Sequence, residues 1–144
     1  MKVEWIKELE TGFVTLDNQH RELFYRINKL FDGCSAGSDC TGYNESVQKM
    51  LEYMEEYAII HLNTEEHLML KYSLPHVHKH FNEHSEFREN ITYLKKILDS
   101  EGVTPNYIKQ IKSMIADWLV QHIMSTDKEL CGFLKAKNLT FIGE

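Results

Sequence analysis

Seven residues of this chain are types that hold metal ions, and they sit where a helical protein places core hydrophobes: His20, His61, Glu65, His80, His84, His122 and Asp127. His61-Leu-Asn-Thr-Glu65 and His80-Phe-Asn-Glu-His84 each set two donors four residues apart. At about 100° per residue that spacing is one helical face, so both members of a pair can grip one centre. Five imidazoles and two carboxylates are too many for one ion and suit two ions bridged by the carboxylates.

The elements that must carry these residues follow from the apolar spacing around them. Val47, Leu51, Met54, Ala58, His61, Glu65, Leu68 and Tyr72 alternate steps of four and three. Val77, His80, His84, Phe87, Ile91, Leu94 and Leu98 do the same, as do Ile108, Ile111, Ile115, Trp118 and His122. Leu16, His20, Leu23, Ile27 and Leu30 form a fourth stripe. Each would be apolar throughout if its ligands were Leu, so the ligands point inward. An ionised carboxylate buried without a partner costs many kcal/mol or loses its charge. A shared proton or a backbone acceptor accounts for one or two such positions, whereas seven on four stripes are accounted for by metal.

Residues 1–14 carry Trp5 and Phe13 without helical periodicity and read as an extended arm. The first helix begins at Thr15 or Asp17, either of which can cap it, and runs to about Phe31. A Gly/Ser/Cys loop at 33–42 leads to a second helix over about 44–72. Pro75 turns the chain into a third over about 76–99; Gly102 stops it and Pro105 opens the fourth, which Gly132 ends after Cys131. A tail, 133–144, offers Phe133, Leu139 and Phe141 for docking. Short connections make antiparallel neighbours. The expectation is therefore all-α: one domain over 1–144, an up-down-up-down four-helix bundle with its bundle at about 15–132.

At 144 residues, 42% hydrophobic and 26% charged, the chain is long enough for a single packed core. A net charge of −6 argues against nucleic acid, which wants a basic face. The start, Met-Lys-Val-Glu-Trp, lacks the apolar centre of a signal peptide, and no apolar run approaches membrane-spanning length, so a cytoplasmic location without membrane contact is expected. Cys34, Cys40 and Cys131 form no CxxC and are odd in number, which predicts reduced, incidental thiols and no thiolate site.

Imidazole and carboxylate without sulfur point to iron, manganese or zinc, and bridging carboxylates favour a redox-capable pair of iron or manganese ions. Ferritin-like oxidases build such sites from Glu-x-x-His. That motif is absent here, and the histidine-rich set suits reversible binding instead.

The order His, HxxxE, HxxxH, HxxxxD resembles the hemerythrin family, and the compact length resembles its single-domain bacteriohemerythrins. The match runs from Leu16-Asp-Asn-Gln-His20 through Glu65-Glu-His-Leu-Met69 and His80-Phe-Asn-Glu-His-Ser-Glu-Phe87 to Trp118-Leu-Val-Gln-His-Ile123. The resemblance implies a non-enzymatic protein that binds dioxygen reversibly at two non-haem irons, for storage, delivery or sensing. The other readings are a di-iron enzyme handling peroxide or nitric oxide, and an iron-handling protein. His80, His84 and His122 would hold the filled iron, and His20 and His61 the iron with an open position. Glu65 and Asp127 would bridge them beside an oxo or hydroxo group. Asp127 enters by resemblance, because five residues after His122 is about 140° round an ideal helix.

Reversibility needs a dry pocket, and Leu23, Leu62, Trp118, Leu119 and Ile123 flank the ligands where they can wall one or simply pack the core. His67, His76 and His78 are left for solvent. His76 and His80 are also an HxxxH pair, so spacing alone leaves that choice open, and the Phe87–Ile91–Leu94 seam with the family spacing selects His80 and His84. The oligomeric state stays open, with a monomer compatible.

Overall fold

The computed structural model describes residues 2–34 and 41–138 and is an all-α four-helix bundle. The rods are α1 (Val14–Gly33), α2 (residues 44–71), α3 (Val77–Glu101) and α4 (residues 105–136). Three π turns interrupt the α-helical winding: Ala58–Leu62 within α2, and Lys112–Asp117 and His122–Asp127 within α4. Short 3₁₀ turns at Lys7–Leu9 and Thr41–Tyr43 precede α1 and α2. Among the described residues no helix is long and apolar enough to cross a membrane.

The predicted seams face inward. Leu23, Ile27, Val47, Leu51, Met54, Phe87, Ile91, Leu94, Ile111, Ile115 and Leu119 belong to one large apolar cluster. A smaller cluster gathers Phe13, Leu16, Met69, Leu74, Leu130, Cys131 and Leu134. On α1 the large cluster resumes at Leu23 while the small one ends at Leu16, with His20 between them. Glu65 falls likewise between Leu62 and Met69, and Asp127 between Ile123 and Leu130. The polar layer thus crosses the bundle between two apolar regions.

The caps account for where the chain turns. Thr104 accepts a hydrogen bond from the Tyr107 amide at 3.1 Å with Pro105 in the first turn, and Gly102 closes α3 at a φ of +73°, as expected of both segments. Between α2 and α3 the chain reverses through Ser73 and His76, both in the left-handed region at φ +50° and +64°.

Three expectations are corrected. Neither Thr15 nor Asp17 caps α1, which starts at Val14. The Asp17 carboxylate instead accepts from the Thr11 amide at 2.9 Å, the Thr11 hydroxyl at 2.8 Å and the Gly12 amide at 3.3 Å, so its acceptor capacity ties the arm to the helix. Gly132 does not end α4, which continues to Ala136 because Leu130, Cys131 and Leu134 keep an apolar face packed. Cys34 is disulfide-bonded rather than an incidental thiol, since an odd count excludes neither a pair nor a spare, whereas Cys131 is free and buried. Cys40, Leu139, Phe141 and loop positions 35–40 lie outside the described residues.

The arm docks as anticipated, with Val3, Leu9 and Phe13 buried. The Asn28 side chain brackets Val3, accepting from its amide at 2.7 Å and donating to its carbonyl at 2.8 Å. Trp5 meets Phe24 edge-on at 5.5 Å. Asp17→Ala removes the three-donor clasp and is expected to lower unfolding free energy by about 2 kcal/mol. Denaturant unfolding of the two chains side by side checks this; equal midpoints would show the arm is held by its apolar contacts alone.

Candidate metal centre

All seven sequence-predicted ligands are buried, none more than 3% exposed. They come from the four rods as expected: His20 from α1, His61 and Glu65 from α2, His80 and His84 from α3, His122 and Asp127 from α4. They converge. One group comprises Glu65, His80, His84, His122 and Asp127; a second comprises His20, His61 and Asp127, with donor atoms in each within 4.8 Å of one another. Asp127 belongs to both, and Glu65 Oε1 lies 2.9 Å from His61 Nε2 and 3.9 Å from His84 Nε2. The two carboxylates therefore stand between the histidines.

The i, i+5 spacing that an ideal helix leaves unexplained has a local cause. His122–Asp127 is a π turn, whose hydrogen bonds run between i and i+5 and bring the sixth residue back towards the first. His122 Nε2 and Asp127 Oδ1 accordingly lie 3.0 Å apart. His61 is carried by the π turn of α2.

Whether these residues fit metal can be judged from their unused polar atoms. Nε2 of all five histidines and both oxygens of Glu65 and Asp127 are buried with no hydrogen-bond partner among the described residues. Among the described residues outside the seven, only Trp5 Nε1 shares that condition. The approaches are close (His20 Nε2 to Asp127 Oδ2 is 3.3 Å, and His80 Nε2 to Asp127 Oδ1 is 3.3 Å) yet lack hydrogen-bond geometry. Lone pairs that crowd together and avoid pairing are what a coordination site requires.

The opposite ring nitrogens are held from outside, by residues that sequence reasoning missed. His84 Nδ1 donates to Glu66 at 2.7 Å, and Arg88 anchors that carboxylate at 3.4 Å. His122 Nδ1 donates to Glu83 at 2.9 Å, which also accepts from the Thr126 hydroxyl at 2.7 and 2.8 Å. His61 Nδ1 contacts the Gln19 side-chain oxygen. Each bond leaves Nε2 as the free lone pair facing the layer. The signal was adjacency: Gln19, Glu66 and Glu83 each neighbour a ligand in the chain. Tyr57 stacks on His61 at 4.6 Å and Trp118 on His122 at 4.6 Å, fixing the ring planes. Leu23, Leu62, Leu119 and Ile123 are at most 1% exposed in the large cluster, with Trp118 partly buried against it. His67, His76 and His78 are exposed, outside both donor groups.

Comparison with known proteins converges on one family. The family model described as "Hemerythrin HHE cation binding domain" matches residues 11–134. The chain is 26% identical to a bacteriohemerythrin of Clostridium acetobutylicum, over 87% of this chain and 95% of that protein. It is 28% identical to a myohemerythrin of Theromyzon tessulatum, over 91% and 92% respectively. A bacteriohemerythrin of Methylococcus capsulatus is 28% identical over 84% of this chain and 87% of its own length.

Without metal, protons supply the positive charge the layer needs. Burial pulls His122 down, but the Asp127 charge and contacts with Asp127 and Glu83 outweigh it, to about 10. Burial opposes His80 in the same way, and Asp127 and Glu65 raise it to about 9. His84 sinks to about 4, chiefly through burial, with His80 and His122 beside it adding to the fall. Burial would raise both carboxylates, but His122, His20 and His80 hold Asp127 well below the usual range, and His61 and His80 lower Glu65.

The raised pair, His80 and His122, contributes stability that is complete below an unfolded value of 6.5 and is lost as pH rises towards 9 and 10. His84, being depressed, contributes stability present above 6.5 and lost as pH falls towards 4. The metal-free protein should therefore lose Tm on both sides of about pH 6.5. Thermal melts across pH 4 to 10 check this; a metal-free Tm that climbs on the alkaline side would contradict the charge assignment.

Proposed function

The chain belongs to the hemerythrin HHE cation-binding family, and from that membership we propose that it binds dioxygen reversibly at two non-haem iron ions, without catalysing a reaction. The observation that carries the reading is the layer of unpaired donor atoms, Nε2 from five histidines and four oxygens from two carboxylates, divided into two groups that share Asp127. In this reading His80, His84 and His122 hold one ion and His20 and His61 the other. Glu65 and Asp127, which stand between the two sets of imidazoles, would serve both.

Two ferrous ions held there would supply the electrons for reversible binding of dioxygen. The chain must keep the exchange reversible, which means denying water and free protons to the open position. Leu23, Leu62, Leu119 and Ile123, each essentially inaccessible, surround the ligand layer from the side of the large cluster. The Trp118 ring covers His122 and packs on Phe87 at 4.6 Å, extending that wall. An apolar lining raises the cost of admitting water or separating charge, which favours release of neutral dioxygen over loss of a charged reduced product.

Iron-loaded, chemically reduced protein should be colourless and gain a visible charge-transfer band when air is admitted, losing it when oxygen is withdrawn. Immediate passage to a stable ferric spectrum would sink reversible binding and favour an enzymatic or iron-handling role. Leu62→Ala should speed irreversible oxidation while two irons per chain are retained, at a stability cost of about 2–5 kcal/mol. An unchanged oxidation rate in that variant would remove Leu62 from the wall.

A further inference from the structure

The side chains behind the ligands are not alike on the two halves of the site. On the half with three histidines, His84 leans on the Glu66 carboxylate at 2.7 Å and His122 on the Glu83 carboxylate at 2.9 Å. On the half with two, His61 meets only the neutral amide oxygen of Gln19, and His20 Nδ1 has no partner among the described residues. Glu66 is held by Arg88 and Glu83 by Thr126, and Gln19 lies one residue before His20 on α1.

A carboxylate accepting from Nδ1–H draws the proton towards itself and pushes electron density onto Nε2, making the imidazole a stronger donor. It also sets an anion close enough to favour positive charge in a dry interior. An amide oxygen does less of the first and none of the second. Glu66 and Glu83 are 20% and 24% exposed at the side chain, so each keeps contact with solvent and avoids the penalty of a fully buried charge.

We propose that Glu66 and Glu83 are positioning residues that rank the two metal positions, so that the His80–His84–His122 position fills first and holds its ion longest. Gln19 leaves the His20–His61 position the more labile. The ordering rests on the two-ion reading above and adds what that reading lacks, a reason in charge for the positions to differ beyond their count of histidines. Glutamine at 66 or 83 keeps an acceptor oxygen of the same shape and removes only the charge. Glutamate at 19 adds a charge and keeps the shape. The three substitutions therefore separate charge from geometry.

The test is stepwise uptake of Co(II) by metal-free protein against a competing chelator, read from the visible ligand-field bands, with helical circular dichroism confirming that each variant is folded. The unmodified chain should take two ions in two resolved steps. Glu66→Gln with Glu83→Gln should weaken the first step by about 10–100-fold and leave the second within experimental error. Gln19→Glu should strengthen the second step alone. First-step affinity unmoved in the folded double variant would overturn the ordering, as would a Gln19→Glu chain with an unaltered or weaker second step. Should the double variant fail to fold, Gln19→Glu decides the matter by itself. Uptake of fewer than two ions by the unmodified chain would instead remove the two-ion reading, and the ordering with it.

Discussion

Two carboxylates and five imidazoles turned towards one another in a dry interior are the constraint around which the bundle is organised. Stripped of solvent, such groups repel or demand protons, and the shifts of His80, His84 and His122 in opposite directions are the sign of that demand. The cost must be met by a charge at their centre and by packing elsewhere. Long rods whose apolar seams continue on both sides of the donor layer supply the packing. They also supply rigidity, since donors borne on four packed helices cannot spread apart without opening the core.

Much of this was legible from the chain because ligands occupy positions that period and burial would give to Leu. The heptad steps through His61 and Glu65, and through His80 and His84, specify both the rods and their inward faces. What stayed hidden was whatever departs from an ideal helix. Asp127 is out of phase on a 3.6-residue winding and in phase on a π turn, and nothing in His-Ile-Met-Ser-Thr-Asp announces that turn locally. Gly132 looked like a stop, yet the apolar face of its neighbours carries the helix past it, tertiary packing overriding a local propensity. Asp17 resembles a cap in sequence because local sequence cannot show that the arm supplies its donors.

The residues behind the ligands were hidden for a different reason. Glu66 and Glu83 sit on the polar side of their helical patterns, where a carboxylate is ordinarily a solvated surface group. Only the crossing of α3 with α2 and α4 brings Glu66 to His84 and Glu83 to His122. Helical period reports which face is buried, but not which side chain at its margin reaches across to a neighbouring helix.

The split of the apolar interior into unequal parts has a consequence for how the site communicates with its surroundings. The smaller part is assembled from element ends: Phe13 and Leu16 at the start of α1, Met69 and Leu74 around the end of α2, Leu130 and Leu134 late in α4. Such ends fray at a fraction of the free energy that global unfolding requires. Fraying there would uncover the donor layer from beneath while the larger part, in which Phe87 and Ile91 of α3 are packed, stays closed. On the two-ion reading, ions would exchange through this end of the bundle by sub-global opening. The lifetime of a loaded state would then depend on how firmly a few terminal side chains are seated, more than on the melting temperature of the whole.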